Sequence, residues 1–309
     1  MENKFLLSIT GPTAIGKTAL SIELARAFNT EILSADSRQF YKEMEIGTAV
    51  PSEDELAAAT HHFIQHINVE EAYSVGDFER EALHKTRDLF RQHDLLILVG
   101  GSGLYVKSLL EGLDNFPEIN PEIRVTLNEQ FEKEGLKPLK IRLQELDPES
   151  YKTIDTDNPH RVIRALEICL GTGKTFSSFL AKPKPERAFQ TISIGLNAAR
   201  EDIYERINLR VNAMMAAGLL EEVKNLYPKR DLNALNTVGY KELFAFLEGS
   251  LNLDEAVAEI KKNTRRFAKR QLTWFRKDKN IHWFDYKSAP ETIIAFVKAE
   301  ISRLEKTSD

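Results

Sequence analysis

A parallel β-sheet covered by helices on both faces is the fold class this sequence predicts, and three observations predict it. Short apolar runs at about 5–10, 31–35, 95–99, 190–196 and 281–285 alternate with segments whose apolar residues recur at helical spacing. The clearest of them, Leu95-Leu-Ile-Leu-Val99, is continuously apolar, the pattern of a strand buried on both faces. A glycine-rich loop joins the first run to the first helical pattern, and strand exits are where such sheets collect ligands.

The first run, Phe5-Leu-Leu-Ser-Ile9, leads into Gly11, Pro12, Thr13, Ala14, Ile15, Gly16, Lys17 and Thr18, which fit G-x-x-x-x-G-K-[ST]. Residues 18–28 then carry helical apolar spacing, so strand, glycine loop and helix stand in the order a phosphate loop needs. In that setting backbone N–H groups curl around phosphate oxygens and the helix N-terminus adds partial positive charge. Lys17 supplies a full charge, and the Thr18 hydroxyl can ligate Mg²⁺. A di- or triphosphate ligand is predicted. The competing account, a glycine turn capping an ordinary helix, leaves the strand, the spacing and the Lys-Thr pair unexplained.

The second run exits into Asp36-Ser37-Arg38-Gln39. The Asp36 carboxylate can face whatever the loop holds or can cap the turn that follows it. Arg38 can approach a phosphate or pair with a surface acid. The run Leu95–Val99 passes straight into Gly100-Gly101-Ser102-Gly103-Leu104-Tyr105, so the strand-end Asp with which many ATP-using enzymes hold Mg²⁺ is missing. Those glycines either let backbone wrap a substrate or form a tight strand-to-helix turn. All three strand exits should converge on one crevice.

From Asp114 to Arg187 the strand signal disappears and the chain turns charged and helical, with Pro117 and Pro121 in front and Pro183 and Pro185 behind. This predicts a helical insertion domain over 116–187 on stiff hinges, within a core domain of 1–115 and 188–309. Gly171-Thr-Gly173-Lys174-Thr175 imitates half a phosphate loop, but Ile168 replaces the first glycine and the preceding segment is helical. Gly171 is expected to end that helix in a left-handed cap. His61, His62 and His66 lack the Cys or H-E-x-x-H context of a metal site.

Bulk composition excludes several classes. With 42% apolar and 29% charged residues the chain is an ordinary globular one, and no apolar run is long enough to span a bilayer. The N-terminal apolar stretch is too short for a secretory signal, so a cytoplasmic protein is expected. Cys169 is the only cysteine, which excludes internal disulfides and Cys-based zinc sites and suggests a small core residue. The net charge of −5 is unevenly spread: residues 261–279 hold nine basic side chains against one acid, interleaved with Phe267, Trp274 and Phe275. That mixture suits phosphate contact plus base stacking better than a solvated helix face with few Glu partners.

Seven blocks together resemble the tRNA dimethylallyltransferases, or tRNA isopentenyltransferases, over nearly the whole chain. They are Gly11–Thr18, Ala35–Gln39, Tyr73–Phe78, Gly100–Tyr105, Arg161–Glu167, Val238–Glu242 and Lys269–Arg276, in family order and spacing. The chain departs from the family pattern at Ser102 (commonly Thr), His160 (Gln or Asn) and Asn212 (Asp). The resemblance implies a P-loop-type fold and transfer of a dimethylallyl group from dimethylallyl diphosphate to N6 of the adenosine on the 3′ side of the anticodon in tRNA. The loop would then grip a diphosphate leaving group, which accounts for the missing strand-end acid. Lys17, Thr18 with Mg²⁺, and Arg210 would stabilise the departing charge, and Asp36 would act as general base. The anticodon stem-loop would be held by Asp36, Ser37, Arg38, Gln39, Ser102 and Arg124; by His160, Arg161, Val162, Ile163 and Arg164; by Val238, Gly239, Tyr240 and Lys241; and by Lys269, Arg270, Gln271, Thr273, Trp274 and Arg276. A monomer of bacterial type is expected. A P-loop small-molecule kinase or NTPase is the principal alternative, and a non-enzymatic RNA-binding module the next.

Overall fold

The computed structural model describes residues 4–114, 116–180 and 185–308. The chain divides into two compact units, Met1–Leu110 with Arg187–Asp309, and Glu111–Glu186. The first begins β1 (Phe5–Thr10), α1 (Lys17–Phe28), β2 (Ile32–Ser34), α2 (Glu53–Ala58), β3 (His61–His62), α3 (Val75–Leu89), β4 (Leu95–Val99) and α4 (Gly103–Glu111). The second holds α5 (Pro121–Glu134), α6 (Leu136–Leu146), α7 (Pro148–Thr153), α8 (Pro159–Thr172) and α9 (Ser177–Leu180). The first unit then resumes with β5 (Gln190–Asn197), α10 (Arg200–Ala216), α11 (Leu219–Leu226), α12 (Tyr240–Leu247), α13 (Leu253–Phe275), β6 (His282–Asp285) and α14 (Pro290–Ser308).

The six strands form one sheet in the order β3-β2-β4-β1-β5-β6, and each pairing is parallel. β1 and β4 are buried along their whole lengths, in register with Leu7 opposite Ile97, which is why their sequences are apolar on both faces. β1 lies centrally, so its exit loop is flanked by the exits of β4 and β5. The two-residue edge strand β3 gave no sequence signal because His61 and His62 are poor strand markers and the pairing is short. Its partner is β2, with Ile32 opposite His61.

The Glu111–Glu186 unit has its own core, built around Leu127, Leu139, Leu143, Val162, Ile163 and Leu166. Pro121 is the first residue of α5, where its missing N–H costs nothing. Pro183 lies outside the described residues. The cap predicted at Gly171 belongs to Gly173, whose φ is 68°. Gly171 lies inside the helix, and a Cβ there would sit 2.6 Å from the Ile119 side chain, so glycine serves close packing at this position and not the cap. Cys169 is buried, as a core residue should be. No helix among the described residues is long and apolar enough to cross a membrane.

Candidate active site

The phosphate loop closes only with glycine at its two ends. Gly11 has a φ of 142°, and a Cβ on it would lie 2.7 Å from the Leu196 carbonyl oxygen of β5. Gly16, with φ 107°, is the N-cap of α1. Between them the N–H groups of Ala14, Ile15 and Gly16 have no protein acceptor among the described residues, which makes them free to bind an anion. Lys17 Nζ arches back to donate to the carbonyl oxygens of Gly11 (3.1 Å) and Pro12 (2.8 Å). Desolvation lowers its pKa to about 8, with Asp36 opposing the shift and Arg210 adding to it. The Thr18 hydroxyl makes no protein hydrogen bond among the described residues.

Asp36 both caps its turn and faces the crevice. Its Oδ1 accepts from Arg38 N at 3.2 Å, while Oδ2 has no protein partner among the described residues and points toward Gly101. Arg38 pairs with no acid among the described residues: its Nη1 donates to the carbonyl oxygens of Asn233 (3.0 Å) and Ala234 (2.8 Å). Gln39 Nε2 ties the same loop to Thr48 O and Ala49 O, at 3.1 and 2.9 Å. Ser102 Oγ accepts from Ser37 N at 3.0 Å and lies 3.1 Å from Ser37 Oγ, so it joins two strand exits.

The glycines of the β4 exit make room for the β2 exit and for α13. A Cβ at Gly100 would lie 2.5 Å from Ala35 O; at Gly101 it would land on Gln271 Nε2, and at Gly103 on the indole of Trp274. Gln271, which the family block places on the RNA, is a buried brace in this structure. Its Oε1 accepts from Thr13 N (2.8 Å) and its Nε2 donates to Gly101 O (3.0 Å), linking the phosphate loop to the glycine turn.

Two cavities meet at this crevice. One, of about 260 Å³, is lined by the phosphate loop from Thr13 to Thr18, with Asp36, Glu55, His61 and Arg210. The other, of about 450 Å³, is lined by Ser37, Arg38, Ser102, Met214, Val238, Gly239, Lys241, Phe267 and Arg270. Thr13, Asp36, Thr48 and Arg210 line both. Arg210 Nη1 donates to Thr13 Oγ1 at 3.4 Å, and desolvation lowers its pKa. One turn earlier on α10, Arg206 Nε donates to Ala14 O at 2.7 Å. Sequence reading missed Arg206, although its i,i+4 spacing to Arg210 puts both on one helix face.

The predicted RNA contacts separate into exposed and buried sets. Phe267, Lys269, Arg270, Thr273, Trp274 and Arg276 are exposed along α13 and at its C-cap, while Ala268, Gln271 and Phe275 are buried. Tyr240 is fully buried and donates to Glu222 Oε1 at 2.6 Å, which corrects its assignment to RNA. In the Glu111–Glu186 unit, Val162 and Ile163 belong to the core and cannot offer side chains to a partner. Arg124 and Arg164 share Glu167 Oε2 at 3.3 and 2.8 Å. His160 and Arg161 are exposed on α8.

The IPP transferase family profile matches residues 39–278, so the phosphate loop and Asp36 lie upstream of the matched stretch. A tRNA dimethylallyltransferase of Christiangramia forsetii is 61% identical over 300 residues, covering 97% of this chain and 99% of its own. One from Flavobacterium psychrophilum is 54% identical over 303 residues, covering 96% and 99%. Among solved structures, the full-length tRNA isopentenylpyrophosphate transferase of Bacillus halodurans is 35% identical, with coverage of 100% and 99% and a TM-score of 0.75. A eukaryotic dimethylallyltransferase described as acting on tRNA aligns with a TM-score of 0.82 at 26% identity, covering 97% of this chain and 80% of that one. Fold, site and sequence agree: this chain belongs to the IPP transferase family.

Proposed function

We propose that the protein transfers a dimethylallyl group from dimethylallyl diphosphate to N6 of the adenosine adjacent, on the 3′ side, to the anticodon of tRNA. The observation that carries this reading is the junction of the two cavities at Asp36 and Arg210. A diphosphate seated on the free amides of the loop would direct its allylic carbon toward that junction, and a base entering past Lys241, Phe267 and Arg270 would reach it from the other cavity.

The chemistry then follows. The allylic C–O bond breaks, its electron pair leaves with the diphosphate, and a C–N bond forms to N6. Lys17, Arg210 and the loop N–H groups stabilise the charge that develops on the leaving group. N6 becomes acidic as its bond to carbon forms, and the unpartnered Asp36 Oδ2 takes the proton. Extruding the base from its stack costs a few kcal/mol, which contacts from Lys269, Arg270, Thr273, Trp274 and Arg276 offset. His160 and Arg161 belong to the same proposal as RNA contacts from the insertion over 116–187.

Mg²⁺ fits the donor set. The Thr18 hydroxyl is free, and no group of three acidic, His or Cys residues among the described residues forms a metal cage, so ligand phosphate and water would complete the shell. When bound, the ion adds positive charge against the leaving diphosphate. A cytoplasmic location and action as a monomer go with this reading.

The test is incubation with dimethylallyl diphosphate and unmodified tRNA, followed by mass spectrometry of the nucleosides. A prenylated adenosine and released pyrophosphate are expected. ATP or GTP turnover with no prenyl transfer would replace this reading with a kinase or NTPase, and tRNA binding without turnover would replace it with a binding module.

A further inference from the structure

Ala14 is an alanine in a conformation that suits glycine. Its φ of 64° lies in the left-handed region, where Cβ crowds the following carbonyl oxygen. The other positive φ values of the loop fall on Gly11 and Gly16, which have no Cβ to crowd. A contact from outside the loop holds the Ala14 peptide in place. Arg206 Nε donates to Ala14 O at 2.7 Å, across 192 residues of sequence. The guanidinium of Arg206 is supported in turn by the Tyr286 ring, 5.1 Å from its centroid and just beyond β6.

Peptide planarity gives this contact a consequence. The C=O and N–H of a trans peptide point in opposite directions, and the described residues contain no cis bond. Anchoring Ala14 O on α10 therefore aims the Ile15 N–H the other way, and that N–H has no protein acceptor. Without the anchor the peptide can rotate about Ala14 ψ and Ile15 φ, taking the Ile15 N–H out of the cradle while the left-handed φ of Ala14 stays as it is.

We infer that Arg206 is a positioning residue that keeps the phosphate loop in its anion-binding form by pinning the left-handed Ala14 peptide. The inference rests on the reading of this loop as a diphosphate site. It distinguishes Arg206 from Arg210, which reaches the junction of the cavities directly.

The test is calorimetric titration of inorganic pyrophosphate into the full chain, with Arg206→Gln made on two backgrounds, wild type and Ala14→Gly. On the wild-type background Arg206→Gln should weaken binding about tenfold. On the Ala14→Gly background the loss should be several times larger, because glycine opens the turned-over conformation at positive φ that the alanine Cβ resists. Equal losses on both backgrounds would mean that Arg206 acts through its charge on the ligand, and would overturn the inference, as would unchanged binding in Arg206→Gln. Tyr286→Leu keeps the guanidinium and removes its support. It should give a smaller loss with the same background dependence, and decides the matter if Arg206→Gln does not fold. A wild-type protein that does not bind pyrophosphate sinks the functional reading itself, whereas binding without background dependence sinks this inference alone.

Discussion

Lys17 is the residue whose charge the fold makes negotiable. Burial brings its pKa down from 10.5 to about 8, so the folded, ligand-free protein gives up this proton more readily than the unfolded chain does. Between about 8 and 10.5 the unfolded state binds more protons at this site, and the contribution of Lys17 to stability should therefore rise with pH across that window. Pyrophosphate affinity should run the opposite way, falling above pH 8 as the ammonium is lost. Denaturant titrations of wild type beside Lys17→Met, and calorimetry, from pH 7 to pH 10 check both slopes: the stability of wild type relative to the variant should rise with pH. Asp36 offers the second test at this scale. Asp36→Asn keeps an acceptor for Arg38 N but removes the base, so turnover should fall about 100-fold or more with pyrophosphate binding nearly intact. Single-turnover kinetics at saturating substrates would show it, and near-normal turnover would remove the base assignment.

Elements around the crevice are fastened by side chains far from them in sequence. Glu222 on α11 accepts four hydrogen bonds: from Glu45 N (3.0 Å) and Ile46 N (2.7 Å) on Oε2, and from Gly47 N (2.9 Å) and the Tyr240 hydroxyl (2.6 Å) on Oε1. The loop before α2, which supplies Thr48 to both cavities, is thereby clasped to α11 and α12. Gly47 permits the clasp, since a Cβ there would lie 2.6 Å from the Tyr240 ring. Glu222→Gln puts an N–H₂ where backbone N–H groups already point, and should cost about 1.5–3 kcal/mol in denaturant unfolding. Gly100→Ala presses a methyl group against the Ala35 carbonyl oxygen at 2.5 Å, backbone against backbone, and should destabilise by about 1–3 kcal/mol. Thermal melting of that variant beside wild type is a sufficient check.

At the scale of the molecule, charge is partitioned. A chain of net charge −5 concentrates basic and aromatic side chains on the exposed side of α13 and its C-cap, while the opposite side of that helix packs Ala256, Ile260, Ala268 and Phe275 into the core. The helix is thus fixed by one face and free to meet an anionic partner with the other. Reversing charge at Arg270 and Arg276 together should raise the KM for tRNA and lower the slope of log affinity against log salt by about 2. Filter binding across a salt series measures it, and an unchanged affinity at low salt would return this face to simple solvation.

How much was legible beforehand follows the range of the interactions. The phosphate loop, its strand and its helix are local, set by glycine spacing and apolar periodicity within about thirty residues. They could be read directly, as could the parallel sheet. The bracing of Thr13 by Gln271, the pinning of Ala14 by Arg206 and the contact of Arg38 with Asn233 join residues 258, 192 and 195 positions apart, and no spacing rule spans such distances. For the same reason Tyr240, Val162 and Ile163, placed on the RNA surface by their blocks, proved to be core. The sequence by itself determined which chemistry the chain carries, because phosphate binding depends on a short run of backbone geometry. Only the tertiary structure decided which members of each block face the cavities and which hold the walls in place, because burial is fixed by partners that the chain brings together on folding.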